Sequence, residues 1–569
     1  MTGECRGMTA GMMGQGSVIP RVAGAEHRAD PARTPMPTDG AYPHPSLAKN
    51  IEPKRAVQPP PDLALAGDIA RDDRFDIEGL HVSMLGIGGS GMSGLARILK
   101  GRGAVVSGSD QEESDLTQAL RAAGIEVHFD QSRELLPQDC AMVIASAAVR
   151  PEHPQWMEAE RRGIPVLLYA EALGKCMLGR TGVCIAGTHG KSTTTAMLGC
   201  VLADCALDPT VIVGATSSQL TYGCLGGKDA SPGSTGFRLG AAAIPRGPLA
   251  GAPGLLVAES CEFNRSFHNF HPAIASISSV EADHLDVYGT LDAVIEAFHQ
   301  FARLLPNAAA GGRLLIAHDG AHRREVTRGL DCAIETIGFT PEADYVVSFD
   351  PPTRAVQLSH QHMTLARWNN IVPGAHNAFN ASVALTLAHW LGADAAQAAM
   401  SLAHFAGIDR RLQFLGEKPV PGGLARVYDD YGHHPTEIDV TLRALREAER
   451  PETRAGRLIC IFQPHQHSRT RHLLEEFANS FSQADIVIVP HIYFVRDSEE
   501  ERQKVTADDL VARLREKGVK ALHLSPFETI VDHLQTLVRP GDVVVTMGAG
   551  PVWQVARGFL AAQVPGAVA

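Results

Sequence analysis

Two glycine-rich stretches are the first residues in the chain whose types and spacing suggest chemistry. Gly86-Ile87-Gly88-Gly89-Ser90-Gly91 follows the apolar run that starts at His81 and leads into a segment of helical periodicity. It reads as a strand-to-helix turn whose free amides and helix N-terminus suit a pyrophosphate. Asp110 ends the next strand, about 20 residues on, where a dinucleotide-type fold places a ribose-binding carboxylate. A tight turn with Asp110 as a solvated loop residue is the alternative. The second stretch, Gly187-Thr188-His189-Gly190-Lys191-Ser192-Thr193, is two residues shorter than the usual phosphate loop and keeps its working parts. Glycines turn amides toward the β and γ phosphates, Lys191 neutralises them, and Ser192 offers a hydroxyl to Mg²⁺. The alternative here is a Ser/Thr run that only caps a helix.

Carboxylates and a histidine gather farther along. Val257-Ala258-Glu259-Ser260-Cys261-Glu262 ends one apolar run, and Glu281-Ala282-Asp283-His284-Leu285-Asp286 follows another. In a doubly wound sheet such strand ends open on the same crevice as the phosphate loop. A carboxylate and a neutral imidazole there could hold a divalent cation against ATP oxygens. For either residue taken alone a capping or hydrogen-bonded side chain is the stronger reading, and their joint placement beside the phosphate loop reverses that.

The elements that must position these residues follow from the apolar pattern. Strands at Ala104 to Ser107, Ala141 to Ala145 and Ile164 to Leu168 alternate with helical stretches after the first turn. A glycine break near 179 starts a second block with strands at Val183 to Ala186, Leu255 to Glu259, Ala273 to Ser278 and Leu314 to Ala317. A Gly/Pro/Ser-rich segment, 223–254, reads as a loop insertion within it. A helix is expected at Asn380 to Leu391 and a polar hinge at Gly407 to Arg411. A third α/β block follows, with strands at Arg426 to Asp430, Arg457 to Phe462, Ile486 to Pro490, Val519 to Leu524 and Asp542 to Thr546. Residues 1–75 carry ten of the 35 prolines and read as a flexible extension.

The whole composition agrees with this division. A chain of 569 residues suggests three or four domains at about 150 residues each. An apolar fraction of 44% and 20% charged residues describe an ordinary globular protein. The net charge of −12 disfavours non-specific binding to nucleic acid or anionic membranes, so any phosphate must be met by local groups. Ten cysteines form no CxxC pair, and several sit inside apolar runs, as small buried thiols of a reducing cytoplasm would. No run of about 18 apolar residues would span a bilayer and the start lacks a secretory pattern, so a cytoplasmic protein is expected.

Taken in order over roughly 80–558, GIGGSGMSG, GTHGKSTTT, EADHLD, PGAHNAFNA, DRR, DDYGHHPTE, FQPHQHSRTR and TMGAG resemble the Mur ligases of bacterial cell-wall synthesis. The resemblance implies an α/β chain of three domains. They are a Rossmann-like UDP-sugar domain at 76–178, a P-loop ATPase-like central domain at 179–408 and a Rossmann-like C-terminal domain at 409–569. It implies an ATP-dependent ligase that joins L-alanine to the lactyl carboxylate of UDP-N-acetylmuramate through an acyl phosphate, in peptidoglycan precursor synthesis. ATP and Mg²⁺ are the implied cofactors. Gly86, Gly88, Gly89, Gly91 and Asp110 would serve the UDP-sugar. Gly187, Thr188, His189, Gly190, Lys191, Ser192 and Thr193, with His376, Asn377, Asn380, Arg411 and Asp430, would serve ATP. Lys191, His284 and Arg411 would be catalytic, with Ser192, Glu259 and His284 as metal ligands. Tyr431, His465 and Arg469 would surround the amino acid. Asn380 reads otherwise as a helix cap, and Arg410 as a surface charge.

The chain departs from the family pattern in several places. The insertion and the extension have no counterpart in the family core. Glu259-Ser260-Cys261-Glu262-Phe263-Asn264 stands where the family usually writes EADESD, Gln466 replaces an arginine after the histidine, and Tyr169 stands where an arginine often precedes the Ala-Glu pair. Two rival functions remain in view: a sister ligase that recycles a whole tripeptide onto the same sugar nucleotide, and an NAD-dependent oxidoreductase built on the first glycine turn.

Overall fold

Apolar runs of three to eight residues, separated by glycine turns and amphipathic helices, build three mainly parallel sheets. The computed structural model describes residues 75–226, 233–495 and 497–563. The extension expected at 1–75 lies outside the described residues except at its last position. There Phe75, with Ile77, is buried in the first core, so the folded block already includes Phe75.

The first sheet has five parallel strands in the order Glu126–His128, Val105–Ser109, His81–Leu85, Cys140–Ala145, Val166–Leu168. The chain leaves His81–Leu85 toward one side and returns on the other. The first glycine turn therefore sits at the carboxyl end of the central strand, beside the switch point where open α/β sheets bind ligands.

The second sheet has ten strands. Thr181–Ala186 lies between Leu255–Glu259 and Ile274–Ile277, parallel to both. That register pairs Ile185 with Glu259 and Ala186 with Ile277, so the segments carrying Glu259 and Ser278 flank the phosphate loop. The helix that follows the loop, Lys191–Asp204, is buried from Thr193 to Leu202. It packs against the helix Ala375–Trp390, itself buried along most of its length. Truncating a fully buried side chain such as Leu198 here would cost about 2–5 kcal/mol, and this packing holds the loop still.

In the third sheet Gly423–Asp430, Val543–Met547 and Leu458–Phe462 are parallel neighbours, and Asp430, Met547 and Phe462 stand in one row at their carboxyl ends. Gln413–Val420 closes one edge antiparallel.

Several elements differ from the sequence reading. The segment 223–254 contains a strand, Thr235–Arg238, paired antiparallel with Thr210–Ser217. Four residues set among glycines and prolines give too short a pattern to read. Tertiary contacts make the strand: Phe237 lies under the Arg97 guanidinium, at 5.8 Å, against the first helix of the N-terminal sheet. Tyr345–Asp350, Ala355–His360 and Met363–Asn369, which extend the second sheet to one edge, are also absent from the sequence expectation. Asn380 is inside the helix Ala375–Trp390 and buried, which excludes the cap reading. Arg410 is no free surface charge: it pairs with Asp429 at 3.1 Å and donates to the Gly548 carbonyl at 2.7 Å. The first two sheets share one continuous core, which includes Leu95 and Leu99 on one side and Phe298 and Phe301 on the other. No helix among the described residues is long and apolar enough to cross a membrane.

Candidate active site

The phosphate loop closes on its own glycines. Gly190 takes a left-handed φ of +80°, and a Cβ there would stand 2.5 Å from the Asn380 side-chain oxygen. Thr188 and His189 are held by the segment after Ile274–Ile277: the Thr188 amide donates to the Ser279 carbonyl at 2.9 Å, and the His189 amide to Ser279 Oγ at 3.1 Å. Lys191 Nζ donates to the carbonyls of Gly187 and Thr188, at 2.6 and 3.0 Å, and pairs with Glu262 at 2.9 Å. Burial opposes its charge, but Glu262 outweighs it and holds the ammonium protonated. Ser192 Oγ donates to Glu259 at 2.8 Å, and the other Glu259 oxygen accepts the Gly214 amide at 2.7 Å.

His284 lies in a left-handed turn before a short helix. Its ligand atom and those of Glu262 and Asp283 come within 4.8 Å of one another. The structure thus pairs Ser192 with Glu259 and groups His284 with Glu262 and Asp283. Hydroxyl, carboxylate and neutral imidazole are donors that fit a divalent cation such as Mg²⁺.

Beside the loop a cavity of about 440 Å³ opens between the second and third sheets. His376, Asn377 and Asn380 line it from one helix, with Phe339 and Phe379 nearby, and Arg411, Asp430 and Glu437 line it from the C-terminal side. Burial, reinforced by Arg411, pushes His376 down to about 4, so it is neutral. Arg411 pairs with Glu437 at 3.3 Å and lies 5.0 Å from the centre of the Tyr431 ring. Asp430 accepts the amides of Leu412 and Gly432, both at 2.6 Å, and burial still pushes its carboxyl up to about 6. His189 stands between Glu281, at 3.3 Å, and Glu437, at 3.5 Å. Burial works against its charge, yet these two carboxylates push it up to about 9.

At the first glycine turn the backbone is largely engaged within the turn itself. The Gly86 amide donates to the Ser109 carbonyl at 2.8 Å, Gly88 to Asp110 Oδ2 at 2.7 Å and Gly89 to the Gly86 carbonyl at 3.2 Å. Asp110 is therefore a brace of the turn, and Gly91 lies at the start of the helix Ser90–Gly101, where amides face outward.

Tyr431, His433, His465 and Tyr493 form a run of rings with neighbouring centroids 5.3 to 5.8 Å apart. Arg469 is almost buried and pairs with Asp283 at 2.8 Å, next to a cavity of about 30 Å³ that both residues line with His284 and Gln466. Expected beside the amino acid, its guanidinium has an acidic partner in the structure.

Three family descriptions match the chain in succession: "Mur ligase family, catalytic domain" at 81–181, "Mur ligase middle domain" at 185–388 and "Mur ligase, glutamate ligase domain" at 410–550. The chain belongs to the Mur ligase family. This Mur ligase is 35% identical over 486 residues to a UDP-N-acetylmuramate--L-alanine ligase of Agathobacter rectalis, covering 84% of this chain and 98% of the relative. It is 36% identical over 491 residues to the enzyme of that name from Salinibacter ruber, covering 84% and 94%. The solved UDP-N-acetylmuramate-alanine ligase of Thermotoga maritima shares the fold with a TM-score of 0.65 at 24% identity, over 84% of this chain and 98% of that one. A murein peptide ligase of Psychrobacter arcticus shares it at 0.60 and 22%, over 85% and 98%. The fold therefore does not separate these two activities.

The geometry of this Mur ligase adds residues that the sequence reading left without a role. Glu262 neutralises Lys191, Glu281 and Glu437 embrace His189, and Asp283 holds Arg469. Glu437 carried a signal: it stands three residues after His434, in capping-box spacing, and its Oε2 accepts the His433 and His434 amides at 3.0 and 3.3 Å.

Proposed function

We infer that this chain is an ATP-dependent amide-bond ligase that joins the lactyl carboxylate of UDP-N-acetylmuramate to the amine of L-alanine, in peptidoglycan precursor synthesis. The observation that carries this is the match, at about 35% identity, to nearly the full length of relatives with that activity in their name. The intact phosphate loop beside a nucleotide-sized cavity gives the reading its chemistry. A cytoplasmic location follows, since ATP and a nucleotide-linked sugar are both cytoplasmic substrates.

The proposed division assigns the sugar nucleotide to 76–178, ATP to 179–408 and the amino acid to 409–569. ATP lies with its phosphates on Gly187 to Thr193 and its nucleoside toward His376, Asn377 and Asn380, with Asp430 receiving ribose hydroxyls. A carboxylate is a poor electrophile, so its oxygen first attacks the γ-phosphoryl group and displaces ADP, a step that brings an anion toward an anion. Lys191 and Arg411 offset that repulsion from either side, each turning from Glu262 or Glu437 to phosphate oxygens. Mg²⁺, which Ser192, Glu259 and His284 would hold, would add charge neutralisation on the phosphates. The L-alanine amine then attacks the acyl phosphate and phosphate leaves. Tyr431, His465 and Arg469 frame the amine's approach. Closure of the C-terminal sheet over the cavity aligns the reactants and excludes water that would hydrolyse the acyl phosphate.

The test is phosphate release with UDP-N-acetylmuramate and ATP against a panel of amino acids and the tripeptide L-alanyl-γ-D-glutamyl-meso-diaminopimelate. L-Alanine is expected to give the highest kcat/KM. A clear preference for the tripeptide, or nicotinamide turnover in place of phosphate release, would refute the reading.

A further inference from the structure

Tyr169 opens the helix Tyr169–Met177 directly after the last strand of the N-terminal sheet. Glu171 fixes this start by accepting the Leu168 amide at 2.6 Å. The ring, partly buried, packs on the core shared by the first two sheets, so its position is set from behind. Its front edge meets Gly91. A Cβ at Gly91 would stand 2.7 Å from both Cζ and Oη of Tyr169, closer than any side chain is tolerated, so glycine at this helical position leaves room for the phenol. The Tyr169 hydroxyl makes no hydrogen bond among the described residues. Burial first, and the Glu259 carboxylate second, raise its pKa still further from neutrality, where a phenol is a proton donor in any case.

The phenol thus stands between two features that a sugar nucleotide must connect. On one side is the outward-facing amide end of Ser90–Gly101. On the other is Glu259, bonded to Ser192 of the phosphate loop. We propose that Tyr169 is a substrate-binding residue whose hydroxyl donates to a diphosphate oxygen of the sugar nucleotide at the start of Ser90–Gly101, and so aims the acyl-bearing sugar at Ser192 and Glu259. This rests on the sugar-nucleotide reading above. A neutral phenol suits the place because an anion there already faces Glu259, and a donor can bind it without adding to the buried charge.

Tyr169→Phe keeps the ring and deletes the donor. A hydrogen bond to a charged oxygen is worth roughly tenfold or more in affinity, so the dissociation constant for UDP and the KM for UDP-N-acetylmuramate should rise by roughly that factor, while the KM for ATP should not. Gly91→Ala keeps the hydroxyl but displaces the ring, and should raise the same two constants. Unfolding midpoints of both variants near wild type exclude a general loss of structure. Unchanged UDP affinity in Tyr169→Phe would overturn the proposal. If wild type binds UDP and Tyr169→Phe weakens it, yet no phosphate is released with UDP-N-acetylmuramate, the phenol's role stands and the proposed activity fails.

Discussion

Replacing Lys191 by methionine should cost both catalysis and stability, and the two losses separate in a double-mutant cycle. The side chains of Lys191 and Glu262 are 12% and 2% exposed and pair at 2.9 Å. Removing the ammonium leaves a buried carboxylate with no cation, and breaking such a pair from one side costs about 3–5 kcal/mol. It also removes a charge from the β and γ phosphates, worth on the order of 10²-fold in turnover. Glu262→Gln on the same background removes the stranded charge, so the double variant should recover most of the stability and none of the activity. Denaturant midpoints give the first quantity and single-turnover phosphate release the second. If Lys191→Met were as stable as wild type, the buried pair would be worth nothing and this reasoning would fail. If the double variant regained turnover, Lys191 would not face the phosphates.

Four further outcomes are expected. Asp430, pushed up to about 6 against roughly 3.9 in an unfolded chain, binds its proton more tightly when folded, so it lowers stability as pH rises from about 4 to 6; Asp430→Asn should flatten thermal stability across that window and raise the KM for ATP. His189, pushed up to about 9, contributes stability that is complete below about 6.5 and lost as pH rises through 9; Glu437→Gln should shrink the fall in unfolding temperature over that range. Glu259→Gln and His284→Ala should each raise the Mg²⁺ concentration for half-maximal activity, and unchanged dependence in both would return them to structural roles. Arg469→Ala should raise the KM for L-alanine far more than that for UDP-N-acetylmuramate, and should destabilise the protein because Asp283, 11% exposed, loses its arginine partner.

What could be read from the sequence was local. The turn after His81–Leu85 and the loop after Thr181–Ala186 each announce themselves within ten residues, because a glycine turn between an apolar strand and a helix is contiguous in the chain. Glu259 and His284 were legible as strand-end residues, since strand ends in a parallel sheet share one rim; the structure pairs Glu259 with Ser192 and groups His284 with Glu262 and Asp283. The partners of these residues were not legible. Lys191 and Glu262 are 71 positions apart, and nothing local says that Glu262 rather than Glu259 meets the ammonium. His189 meets Glu437 across two sheets, and Arg469 meets Asp283 the same way. Thr235–Arg238 was read as loop because its four residues become a strand only when Thr210–Ser217 and the first helix supply the other side. Asn380 and Arg410 illustrate the same limit: a polar residue near a boundary reads as cap or surface until its long-range partners are seen.

If this chain activates a sugar-nucleotide carboxylate with ATP and passes it to L-alanine, one carboxylate oxygen must leave with the phosphate. UDP-N-acetylmuramate labelled with ¹⁸O in the lactyl carboxylate, incubated with the purified chain, ATP, Mg²⁺ and L-alanine, tests that in one mass spectrum. The expected result is an amide product heavier by one alanine residue, with one ¹⁸O atom transferred to the released phosphate. Phosphate free of ¹⁸O alongside the amide, or no alanyl product at all, would contradict it.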